Sequence, residues 1–81
     1  MAKARPYSVA FGKAIKQERT KQNLSQEELG LKCEMDRSYI SGIETGRRNP
    51  TVQSVWVIAT EGLQVPLVSL ILQAEEYMRM R

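Results

Sequence analysis

"LSQEELGLKCEMDRSYISGIETG", Leu24 to Gly46, decides how this chain folds. Its first six residues place Ser25 before a helical pattern, with Glu28 three positions on and the apolar Leu24 and Leu29 on either side. Ser25 can accept from the Glu28 backbone N–H while the Glu28 carboxylate reaches back to the Ser25 N–H, and the two leucines staple the entry of the chain. A helix from Gln26 to about Cys33 follows, burying Leu29 and Cys33. Only "EMD" then separates it from a second start signal, Asp36, read as the N-cap of a helix from Arg37 to about Thr45. Ile40 and Ile43 form the buried edge of that helix, and Gly46 ends it.

The opposite side of the second helix is nearly bare. Ser38, Ser41, Gly42 and Thr45 surround one long side chain, Arg37. Ser, Thr and Gly are all poorer helix formers than Ala, and together they cost this short helix roughly 2 kcal/mol. A solvated face ordinarily carries Glu, Lys, Gln and Ala instead. Two readings remain: Gly42 admits a neighbouring helix, or the whole face admits a large partner.

Outward from this segment the pattern stays helical. Residues 1–7 read as a flexible arm, since Pro6 disfavours helix in the residue before it. Ser8 is read as the cap of a first helix ending near Gln22, with Phe11, Ala14 and Ile15 on its buried edge and Asn23 as its left-handed stop. Beyond Asn49 and Pro50, Thr51 caps a fourth helix to about Glu61 that buries Val52, Val55 and Ile58 and is closed by Gly62. Pro66, acceptable in a first turn, opens a last helix to about Arg79. Five short helices with brief connections predict an all-α five-helix bundle in a single domain over residues 1–81.

Composition narrows the chemistry. With no histidine and one cysteine the chain has no usual zinc constellation, no internal disulfide, and no nucleophile paired with an evident base. No metal, cofactor or enzymatic activity is expected, and Cys33 reads as a small buried apolar residue in a cytoplasmic protein. No apolar run reaches the roughly 18 residues of a membrane span. The net charge is +3, and its distribution is more telling than its size. Lys3, Arg5, Lys13, Lys16, Arg19 and Lys21 face a single acid, Glu18, before residue 26, and Arg37, Arg47 and Arg48 outweigh Asp36 and Glu44. Clustered positive charge is the electrostatic footprint of a nucleic-acid binder, although a basic N-terminal arm also serves as a simple solubilising tail.

Two helices joined by so short a turn, the second with a cleared face, form the helix-turn-helix pattern, whose second helix enters the DNA major groove. Small residues would let its backbone settle into a groove about 12 Å wide, and Arg37 would reach guanine O6 and N7. The ordered combination "SQEEL", "YISGIE", "G" and "RNP" resembles the phage repressor and Cro-like (XRE) family of bacterial regulators over roughly residues 11–65. Within that family the wording is most similar to the controller proteins of restriction-modification systems. The resemblance implies that Arg37, Ser38 and Ser41 read bases. It also implies that Gln26, Tyr39, Thr45, Arg47, Arg48 and Asn49 grip the DNA backbone, and that Arg19 and Glu44 form a buried structural ion pair. Three departures stand out: Glu34 where a turn glycine is usual, Glu18 for an apolar residue, and one residue more than usual in "IATEGLQVP".

The last helix carries more apolar residues than one intramolecular face needs: Val65, Leu67, Val68, Leu70, Ile71 and Leu72, with Trp56 and Val57 nearby. Such excess marks an interface, while Glu75 and Glu76 without a Lys-rich face argue against a membrane surface. A homodimer through Trp56, Val65, Leu67, Val68, Leu70 and Ile71 is expected, setting two reading helices about 34 Å apart on a pseudo-palindromic operator. The function expected is transcriptional regulation, blocking RNA polymerase or recruiting it according to operator position. An antitoxin or anti-repressor acting through the last helix is the alternative.

Overall fold

The computed structural model describes residues 5–80. Five helices follow one another: α1 (Pro6–Lys21), α2 (Gln26–Cys33), α3 (Arg37–Thr45), α4 (Val52–Val57), which runs on into a π-helical turn (Ile58–Leu63), and α5 (Leu67–Arg79). There is no strand among the described residues. The packing is layered by sequence neighbours and one long return: α1 lies against both α3 and α5, and α2 is held between α3 and the π turn. Ile15, Leu29, Ile40, Ile43, Ile58 and Leu63 are the large side chains fully enclosed at the centre.

Local chemistry explains the α2–α3 unit. Both halves of the capping box form: the Glu28 N–H donates to Ser25 Oγ at 2.9 Å, and the Ser25 N–H donates to Glu28 Oε1 at 2.7 Å. The Ser25 backbone N–H first, and the adjacent Ser25 hydroxyl second, hold the Glu28 carboxyl below its ordinary range. At the other end Glu34 takes the left-handed conformation, φ 57°, that the turn demands and that glycine adopts at less cost. Asp36 has the extended backbone of an N-cap, but its side chain makes no capping bond. Gly46, φ 81°, closes α3 with its N–H directed back to the helix carbonyls.

α1 begins earlier than its sequence suggests. Pro6 occupies the first turn, following an extended Arg5, so Ser8 lies inside the helix and is not its cap. Proline needs no partner there and has its φ preset. The arm read over residues 1–7 therefore loses Pro6 and Tyr7 to α1, and its residues 1–4 lie outside the described chain. Phe11 is half-buried, whereas Ala14 and Ile15 are enclosed; Asn23 ends the helix region at φ 61°. Gly12 allows α1 to cross α3 at backbone contact, since a Cβ there would collide with the Ile43 and Glu44 carbonyls.

The second half departs more. Thr51 caps α4, accepting from the Ser54 N–H at 3.0 Å, yet Val52 is exposed and Val55 only half-buried; burial begins at Ile58. From Ile58 the helix widens, and the Val65 N–H closes on the Ala59 carbonyl at 2.9 Å. A π turn holds one residue more than an α turn, and this one keeps Ile58, Ala59 and Leu63 inside. Gly62 is not the terminator: it sits within the π turn against Cys33 Sγ and Leu29, and Gln64, φ 56°, ends the segment. Burial, and after it the Glu61 charge, pushes the Cys33 thiol up, so it remains protonated and apolar in character.

Candidate nucleic-acid interface

Three elements, α1, α2 and α3, meet at a buried ion pair. Arg19 of α1 donates through Nε to Glu44 Oε2 at 2.6 Å and through Nη2 to Glu44 Oε1 at 3.0 Å, and its Nη1 donates to the Leu24 carbonyl at 2.7 Å. The fork geometry of arginine permits all of these from one side chain. Glu44 Oε1 also accepts from the Gln26 side-chain amide at 3.0 Å. The pair thus sets α3 against α1 and orients the Gln26 side chain at the start of α2. Among the described residues no buried side-chain polar atom is left without a partner.

Above that anchor, Gln26, Arg37, Ser38 and Ser41 line one shallow concavity of about 290 Å³. Arg37 and Ser38 are exposed, and Gln26 and Ser41 half-buried. Residues 26 and 37, the first of α2 and of α3, thus come together across the turn. The arrangement offers a guanidinium, two hydroxyls and an amide at one rim, each able to bond base edges or phosphates.

Toward the C-terminal end of α3 a second group forms. The Arg48 guanidinium carbon lies 5.5 Å above the centre of the Tyr39 ring. The Tyr39 hydroxyl donates to Ser54 Oγ at 3.3 Å, and Thr51 Oγ1 donates to the same oxygen at 3.0 Å. Thr45 turns its hydroxyl to the Gly42 carbonyl at 3.1 Å, its own helix backbone. Arg47 is exposed. Asn49 is exposed as well, but it borders a different depression, shared with Tyr7, Phe11, Pro50, Val55 and Ile71.

α4 and α5 expose several large apolar side chains. Trp56 is 58% exposed, Val68 58%, Leu72 59% and Ile71 42%. Leu70, read from the sequence as part of this surface, is instead a core residue, 2% exposed, because its side of α5 faces α1 and the interior. Val65 and Leu67 are half-buried against the same core. A groove of about 630 Å³ opens between α1 and α5, lined by Tyr7, Ala10, Phe11, Ile71, Ala74 and Met78 with Glu75 and Arg79. The sequence hid Tyr7, assigned to an arm, and Met78 from this groove, and Phe11, expected on the buried edge of the first helix, is only half-buried and lines it.

A capped helix, a turn through a left-handed residue and a second helix presenting a polar rim define a helix-turn-helix domain. The family description "Helix-turn-helix" matches residues 15–68, and the chain belongs to that family. Its relatives include restriction-modification controller proteins. It is 44% identical to control protein C.BamHI of Bacillus amyloliquefaciens over 46 residues, which are 56% of this chain and span little more than half, 57%, of that protein. It is 35% identical to control protein C.MunI of a Mycoplasma species over 84% of this chain and 92% of that one. The crystal structure of controller protein C.Esp1396I, 32% identical, superposes over 93% of this chain and 96% of its own with a TM-score of 0.83.

Proposed function

We propose that this protein is a sequence-specific DNA-binding transcriptional regulator of the restriction-modification controller type, acting as a homodimer on a pseudo-palindromic operator. The observation that carries the reading is the convergence of Gln26, Arg37, Ser38 and Ser41 on one rim at the start of α3. Arg37 reads guanine through O6 and N7, Ser38 and Ser41 add shorter base contacts, and Gln26 meets a phosphate at the positive end of α2. Tyr39, Thr45, Arg47, Arg48 and Asn49 grip the flanking backbone. C.Esp1396I has been crystallised as a tetramer on its natural 35 base-pair operator, and it is 33% identical to this chain.

Trp56, Val68, Ile71 and Leu72 form the dimer face, supported by half-buried Val65 and Leu67. One short helix reads too few base pairs to bind tightly, so pairing supplies both affinity and the two-fold spacing of half-sites. The protein acts in the cytoplasm, where the operator is, and blocks or recruits RNA polymerase according to operator position. The exposed apolar face also supports a second reading, an antitoxin or anti-repressor that covers α5 with a different protein.

Selection of random duplex DNA on the purified protein, followed by titration of the recovered site at two salt concentrations, separates these. A palindrome with half-sites about ten base pairs apart and an affinity falling steeply with salt is the expected result. Weak, sequence-blind binding together with a 1:1 complex through α5 would overturn the regulator reading.

A further inference from the structure

The space a side chain at position 42 would fill is already occupied, and not by a neighbouring helix. A Cβ built on Gly42 collides with Arg48 Cγ and touches Arg48 Cβ at 3.4 Å and Cδ at 3.6 Å. The backbone N–H groups of Arg47 and Arg48 both donate to the Gly42 carbonyl, at 2.9 and 3.0 Å, which folds the chain after Gly46 back along α3. The stem of Arg48 then lies in the notch left by the missing side chain, and its guanidinium carbon stands 5.5 Å over the Tyr39 ring. Close helix packing is served elsewhere, by Gly12 against the α3 backbone.

We infer that Gly42 is a positioning residue that seats the Arg48 stem on α3, so that Tyr39 presents the Arg48 guanidinium to the DNA backbone already ordered. The inference rests on the DNA-binding reading and assigns Gly42 a part in it that is separate from direct approach to the groove. An arginine free in solvent loses many rotamers when a phosphate immobilises it; one with its stem seated and its guanidinium held over a ring has lost most of them beforehand. A methyl at position 42 leaves no room for that stem. Arg48 then swings out, and its contact with phosphate is formed at a greater entropic cost. The alternative, that Gly42 is small because DNA itself needs the space, makes a different prediction: the loss on adding a methyl would not depend on Arg48.

The test is a four-cornered comparison of the full chain with Gly42→Ala, Arg48→Ala and the double variant, each titrated with the selected operator at several salt concentrations. Arg48→Ala alone is expected to weaken binding about tenfold, as loss of a charge-assisted contact does, and to flatten the salt slope by about one ion. Gly42→Ala is expected to weaken it several-fold and to lose nothing further of its own in the Arg48→Ala background. Independent losses that simply multiply overturn the inference and leave Gly42 as a clearance for DNA. NMR relaxation of the Arg48 Nε–H in the free protein reads the seating without DNA: ordered in the unaltered chain and mobile in Gly42→Ala supports it, equal mobility in both overturns it. Tyr39→Leu, which leaves position 42 untouched, is expected to free the same Nε–H; an Arg48 that stays ordered without the ring overturns the role given to Tyr39. Should the unaltered protein select no DNA sequence while Arg48 is ordered, the regulator reading fails and the seating stands as a fact of the fold alone.

Discussion

The α2–α3 unit and the α4–α5 unit are both helix pairs, yet they are determined in different ways. α2 is bounded at its start by side chains that bond the backbone three residues away, Ser25 with Glu28, and α2 and α3 both end in a left-handed residue, Glu34 and Gly46, whose backbone N–H turns back to the helix. A polar rim projects from their starts, and the Arg19–Glu44 pair ties them to α1. In the second unit only the entry is capped, by Thr51. Its middle departs from α geometry, its exit uses a left-handed Gln64, and a large part of its apolar surface is uncovered. A unit specified by short-range bonds presents a well-defined surface for reading; a unit specified by packing leaves surplus apolar area for a partner.

That contrast can be broken or sharpened. The largest effect is expected at the anchor. Arg19→Ala strands the Glu44 carboxylate in the interior and should cost about 3 to 5 kcal/mol in chemical denaturation; a loss below about 1 kcal/mol would show that caps alone hold the reading unit. In the other unit, Leu72→Asp puts a charge on the proposed dimer face and should weaken association by about 2 kcal/mol or more. Sedimentation would then find monomers with unaltered helicity, and unaltered association would remove α5 from the interface. Arg37→Ala should cost about 1 to 3 kcal/mol on the selected operator and relax one or two base pairs, with little change on random DNA. Equal losses on both would make Arg37 a backbone contact.

Smaller changes test the turn and the cap. Glu34→Gly relieves a left-handed non-glycine residue and should raise stability by about 1 kcal/mol in thermal melts; a fall would mean that Glu34 is held there by contacts worth more than its strain. Ser25→Ala should cost about 1 kcal/mol. The capping box should also respond to pH. Because the folded chain holds the Glu28 carboxyl below its ordinary value of 4.5, its contribution is complete above that value and lost as pH falls through the lower folded one. Glu28→Gln should flatten this acid limb of the stability curve, and an unchanged limb would assign it to another carboxylate.

Legibility in the sequence followed the range of the interaction. The start and end of α2 and α3 were readable because their signals lie within a few residues of each helix end, and the enclosed Ile40 and Ile43 because they recur at helical spacing. The absent Asp36 capping bond shows the limit: residue type offers a cap, but the side-chain rotamer decides whether it forms. Ser8 looked like a better start than Pro6 for the same reason. Gly12 and Gly42 are indistinguishable by residue type, yet one passes a helix and the other seats an arginine.

Residue order alone therefore determined five helices, the turn between α2 and α3, and a basic, polar rim around Arg37, since backbone geometry, caps and periodicity act over one or two turns. Tertiary structure decided that Leu70 faces inward while Val68, Ile71 and Leu72 do not, that Val52 is exposed, and that the helix after Val57 widens into a π turn. It also decided that Arg48 returns to lie on Gly42. Each of these depends on what a distant segment brings alongside: α1 behind α5, α2 against the π turn, and the chain after Gly46 folded over α3. Side-chain burial is a property of both surfaces in contact, and one stretch of sequence carries only one of them.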